Sequence, residues 1–169
     1  MPGNANSVDH PGGSVLLARP FDRDTLSMTR HAVRGSLPMD ELGEARAHGF
    51  LAAINEGLIN AIQHGGGRGN LVLARRDTRL IAVVEDTRPA IPLVFPQAPP
   101  PPDAERGRGL WIIARSCDAV RVESGSTGLR LVMELVVGPH STGVAAGLDG
   151  EELNEPADGE YVQDVGLRT

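Results

Sequence analysis

The chain has 169 residues, 40% of them hydrophobic but only 3% aromatic. That is the size of a single domain, long enough to bury a core of Leu, Val, Ile and Ala without disulfides or a structural metal. The formal net charge of -6 gathers after residue 138, where Asp149, Glu151, Glu152, Glu155, Asp158, Glu160 and Asp164 stand against Arg168 alone. The near-neutral body excludes the basic footprint of a non-specific nucleic-acid binder.

All 16 basic residues are arginine, a codon bias expected of a GC-rich, bacterial genome. The single cysteine, Cys117, excludes an internal disulfide and fits a reducing compartment. It reads as a small core residue rather than a reactive thiol. The N-terminus lacks a signal-type pattern, and no apolar run approaches the ~20 residues of a membrane span. The expectation is a soluble cytoplasmic protein without direct nucleic-acid or membrane contact.

Residues 1–13 are polar and rich in Gly and Pro, and read as a loose leader. Residues 14–19 (SVLLAR) suit an edge strand ending at Pro20. Asp22 or Asp24 can cap a helix running to about Ser36, with Leu26, Ala32 and Val33 inward. The Leu37-Pro38 step breaks that helix. A second, longer helix starts near Asp40 or Glu44 and runs to the stop at Gly65-Gly66-Gly67. Gly57 inside it costs about 1 kcal/mol relative to alanine, which points to a close approach there.

Residues 70–75 (NLVLAR) and 79–85 (RLIAVVE) read as a hairpin, its second strand apolar enough to be central. Asp86 falls where that strand ends. Residues 87–106 hold Pro89, Pro92, Pro96 and the run 99–102, a density no regular element survives. A segment of that kind reads as a lid or binding loop. Gly107-Arg108-Gly109 opens a helix from Leu110 to about Ser116. Residues 120–123 and 129–137 read as two closing strands turned through 124–128. Residues 139–169 read as a disordered acidic tail, either a solubilising extension or a partner-binding segment. The folded domain is then 14–138. Five strands and three helices predict a two-layer α/β sandwich, a mixed but mostly antiparallel sheet covered by helices on one face.

Glu56, Asn60 and His64 recur at i, i+4 and i+8 on one face of the long helix, roughly opposite the apolar stripe of Phe50, Ile54, Leu58 and Ala61. Alone, such a triplet is an ordinary solvent-facing stripe. Chemically it offers a carboxylate base one turn from a neutral oxygen ligand. Mg²⁺ prefers oxygen ligands and keeps several waters, so an Asn oxygen with nucleotide phosphates can hold it. Asp86 can accept hydrogen bonds from an exocyclic amine such as that of adenine. Gly107-Arg108-Gly109-Leu110 sets a glycine-rich turn at a helix N-terminus, where free N–H groups attract phosphate. The order of the three, with a lid-like loop between the last two, makes them one pattern.

That pattern resembles the ATP-binding domain shared by histidine kinases, Hsp90-type chaperones, gyrase B and MutL (the GHKL superfamily). Within it, the chain looks most like the small bacterial anti-sigma-factor serine kinases. The family's E-x-x-x-N-x-x-x-H box is matched by Glu56, Asn60 and His64. Asp86 stands for its first glycine box, Gly107-Arg108-Gly109-Leu110 for its second, and residues 124–133 for its Gly/Thr box. The resemblance covers roughly 14–137 and implies a Bergerat-type fold that binds ATP and Mg²⁺. It implies Glu56 as the base that activates a substrate serine and Asn60 as the metal ligand. It further implies Asp86 as the adenine acceptor, with His64, Gly107, Arg108, Gly109 and Leu110 around the nucleotide. A homodimer, a sigma factor held from polymerase, and an anti-anti-sigma protein of STAS type are likewise implied as partners.

Two boxes depart from the pattern. Arg88 and Ala90 stand where glycines are expected, and Thr127-Gly128 reverses the Gly/Thr order. Arg88 can either occlude the pocket or reach the phosphates as a cation. Three readings follow: an ATP-dependent serine kinase acting as a regulatory switch, a degenerate partner-sequestering module on the same fold, or a plain scaffold domain.

Overall fold

A computed structural model of the chain describes residues 13–88, 93–101, 107–124 and 128–138. Residues 1–12, Ala90 and its neighbours, residues 102–106, Thr127 and the acidic residues 139–169 lie outside the described residues.

The elements run β1 (Ser14–Asp22), α1 (Leu26–Ser36), α2 (Met39–Leu42), α3 (Glu44–His64), β2 (Arg68–Arg76), β3 (Arg79–Asp86), α4 (Arg108–Ser116), β4 (Ala119–Ser124) and β5 (Leu129–Val136). The strands form one sheet in the order β1-β2-β3-β5-β4. Every pairing in it is antiparallel, which narrows the mixed sheet expected from sequence. β3 is the middle strand and is buried at every position after Arg79, as its apolar run predicts.

β1 is an edge strand, but Pro20 lies within it, opposite Asn70. An edge position tolerates a residue without an N–H, so the strand runs on to Asp22. There Asp22 Oδ1 accepts from the Thr25 backbone N–H and Thr25 Oγ1 accepts from the Asp22 N–H, both at 2.9 Å. This reciprocal cap opens the turn that leads into α1. Asp40 and Glu44 each fall in a helix: Gly43, at φ 73°, separates the four-residue α2 from α3. A fourth, short helix thus joins the three expected.

α3 lies across the sheet. Ala47, Phe50, Ala53, Ile54, Gly57, Leu58 and Ala61 are all buried. They meet the inward residues of the strands, among them Leu71, Leu73, Val84, Leu131 and Met133, which alternate with outward ones at period two. Small residues on α3 let it sit close. A Cβ at Gly57 would stand 3.3 Å from Leu131 and Met133 and 3.4 Å from Val84. The helix-propensity cost of Gly57 therefore accompanies the near approach of α3 to β3 and β5.

The other face of the sheet carries a smaller cluster of Val72, Ile81, Val83 and Val132. Beside it, Glu134 is paired with Arg121 and, at 2.8 Å, with Arg79. Burial disfavours the Glu134 carboxylate, yet its bonds to Arg121 and Arg79 outweigh that and hold it below the usual glutamate range. Cys117 is buried, and burial, with the charge of Asp118, pushes its thiol up to about 12. It is an inert core residue, as expected. Among the described residues no helix is long and apolar enough to cross a membrane.

The proline-rich stretch is irregular through 93–101, as its composition predicts. It is not loose throughout. Phe95 is buried in the main core and Leu93 packs against that core.

Candidate functional site

The site forms where the C-terminal half of α3, the end of β3 and the start of α4 converge. The N-terminal half of the α3 polar stripe is half-buried at Glu56 and Asn60, and its last member, His64, is exposed. α4 packs against α3. Gly109 faces Glu56 there: a Cβ on Gly109 would lie 2.7 Å from Glu56 Oε2 and 3.8 Å from Asn60 Nδ2. A bare glycine at this point lets the first turn of α4 close down on the acidic side chain.

Gly107 precedes α4 in the left-handed conformation, at φ 90°, which favours glycine. This N-cap glycine makes no side-chain cap bond, so the first turn of α4 meets the cleft without a capping side chain of its own. Arg108 is the first residue of α4 and is exposed.

Asp86 ends β3 and is 2% exposed. It is seated against the end of α3, where a Cβ on Gly65 would fall 2.4 Å from its carboxylate. Thr87 secures the seat, donating from its N–H and its hydroxyl to the Gly65 carbonyl at 3.2 and 3.0 Å. On the other side, Gly128 lies so near that a Cβ would come within 2.1 Å of the Asp86 carbonyl and 2.8 Å of that of Arg88.

Both carboxylate oxygens of Asp86 are engaged by Arg88. The Arg88 backbone N–H donates to Oδ1 at 2.9 Å, and Nε and Nη2 donate to Oδ2 at 2.7 and 2.5 Å. The guanidinium thus lies on Asp86, and both residues line the same cleft.

Glu56, Asn60, His64, Asp86, Gly107, Arg108, Gly109 and Leu110 all line one cleft of about 600 Å³. The eight residues that the resemblance placed at the nucleotide thus line one cleft, although the first and last are more than fifty positions apart. Arg88 and Leu93 also line it, and Leu129 and Leu131 of β5 add an apolar flank. Sequence reasoning missed these last contributors. The Leu pair falls inside the Gly/Thr box but takes no role of its own from it, and Gly65 reads only as a helix stop, with no local signal that it seats a carboxylate 21 positions on.

The volume falls within the range of ligand clefts, roughly 300–1,000 Å³. At one end Gly109 and the start of α4 lie beside Asn60 and Glu56, a setting that would suit the phosphates of a nucleotide. At the other end the Asp86 carboxylate is already partnered by Arg88. Among the described residues no group of three or more His, Cys, Asp or Glu is arranged to hold a metal. A Mg²⁺ ion here would be held by Asn60 together with nucleotide phosphates rather than by a protein cage.

A family model, the histidine kinase-like ATPase domain, matches residues 20–135. The chain belongs to that family. The match runs from β1 through β5 and so takes in every wall of the cleft. No curated protein matches the chain.

Proposed function

We propose that this protein binds Mg-ATP in the cleft and transfers the γ-phosphoryl group to a serine of an antagonist protein, as part of a switch that also holds a sigma factor away from polymerase. The observation that carries the reading is the convergence of Glu56, Asn60, Asp86 and the 107–110 turn on one cleft. Membership of the histidine kinase-like ATPase domain family supports the nucleotide half directly. The kinase half rests on the likeness to anti-sigma-factor serine kinases, as do the STAS-type partner, a homodimeric assembly and a cytoplasmic setting.

Placement in the cleft supports the following roles. Asn60 would hold Mg²⁺, which when bound supplies charge neutralisation at the phosphates. The N–H groups at the start of α4, flanked by Gly107 and Gly109, would receive phosphate oxygens, with Arg108 beside them. His64 and Leu110 would border the nucleotide. Asp86 would accept the adenine amine. Glu56, half-buried beside Gly109, would take the proton of the serine hydroxyl as its oxygen bonds to the γ-phosphorus. The bond from that phosphorus to the β,γ-bridging oxygen breaks, and ADP leaves with the electron pair. Positioning and charge neutralisation do most of the catalytic work in such a transfer.

The test is phosphoryl transfer from Mg-ATP to STAS-domain candidates, compared between wild type and Glu56→Gln. The variant should bind Mg-ATP as the wild type does and transfer about 10²–10⁴-fold more slowly. Unchanged transfer would remove Glu56 from the role of base. Absence of transfer from wild type to any bacterial STAS protein would favour a nucleotide-binding module that acts by sequestration alone.

A further inference from the structure

We propose that Arg88 is an internal competitor for the nucleobase seat: its guanidinium, clasped on Asp86, must leave before a base amine can take the carboxylate, and that exchange sets nucleotide affinity. The inference rests on the nucleotide reading above and identifies the residue that tunes it.

The geometry is that of a closed latch. The Arg88 and Asp86 side chains are 12% and 1% exposed, and two guanidinium N–H groups converge on the single oxygen Oδ2. Charge-assisted bonds of this kind are roughly twice as strong as those from a neutral donor. A base amine brings only neutral N–H groups, so it enters against a stronger occupant already in place. Both residues line the cleft, so the contest happens inside the binding site and not behind it.

The latch separates from the support of Asp86. Oδ1 is held by the Arg88 backbone N–H, which survives any substitution other than proline. Gly65 and Thr87 seat the strand end from the α3 side, and Gly128 confines the backbone of 86–88 from the β5 side. Removing the guanidinium therefore frees Oδ2 while Asp86 stays aimed into the cleft. In the closed state the buried carboxylate is satisfied, so the ligand-free protein has no orphaned charge to relieve by collapsing. The apparent affinity is then the intrinsic one reduced by the fraction of molecules in which Asp86 is unlatched.

The experiment compares the full chain with Arg88→Ala and with Arg88→Met, which keeps an aliphatic stem of similar reach. Affinities for Mg-ATP and for adenosine are measured by the fluorescence of Trp111, the sole tryptophan, two residues after Gly109 on α4. Thermal melts confirm that each variant is folded. Because the conflict lies at the base end, both variants should bind both ligands more tightly, by a common factor of about 10–100. Unchanged or weaker affinity in folded variants would overturn the latch and leave the nucleotide site standing. A gain for ATP without a gain for adenosine would also overturn it, because the effect would then lie at the phosphates. No binding of either ligand by any of the three proteins would overturn the nucleotide reading, and the latch with it.

Discussion

Asp86 shows how much a single side chain depends on residues that lack one. Its carboxylate stands where a Cβ on Gly65 would be, at 2.4 Å, and Gly65 is not in a strained conformation, with φ at -102°. Any cost of Gly65→Ala thus comes from the contact and not from the backbone. The methyl group would push Asp86 out of its seat, since the third close neighbour, the Ala61 carbonyl at 2.6 Å, is helix backbone and cannot yield. We expect Gly65→Ala to lose about 1–3 kcal/mol in urea denaturation and to weaken adenosine binding at the same time. Full retention of both would mean that the seat is looser than its distances say. Gly43 makes the opposite case: its Cβ would meet open space, and its φ of 73° is what requires glycine.

The elements differ in how plainly the chain announces them. α3 and β3 were legible because each carries a full period of its own kind, a 3.6-residue apolar stripe at Phe50, Ile54, Leu58 and Ala61 and an unbroken apolar run from Leu80 to Val84. Strand and helix ends shifted by one to three residues, and Pro20 sits inside β1, because edge position is a property of the sheet and not of the local sequence. The site residues on α3 and α4 were legible through spacing and glycine pattern. What stayed hidden was the local clasp of Arg88 on Asp86 and two contacts across distance, Gly65 beneath Asp86 and Phe95 reaching from the proline-rich stretch into the core. A lid reading treats that stretch as an appendage, yet Phe95 is 4% exposed among core residues. Phe95→Ala should therefore destabilise the whole domain by about 3–5 kcal/mol, measured by chemical denaturation. A change near zero would return the stretch to the status of a free lid.

At the scale of the molecule, one antiparallel sheet with helices on one face turns three separate sequence signals into one cleft. α3 brings a carboxylate and an amide, β3 delivers a carboxylate at its end, and α4 presents its glycine-flanked N-terminus. None of the three elements makes the site alone, and the family match spans all of them. The central claim is that this cleft holds Mg-ATP, with Asn60 as the side chain that holds the metal against the phosphates. Titration calorimetry of Mg-ATP into the full-length wild type and into Asn60→Ala, at matched concentrations and with folding checked by melting, tests it most directly. The account predicts saturable, one-site heat for wild type and a loss of affinity of at least about 10-fold for the variant. Equal heats and equal midpoints for the two proteins would contradict it.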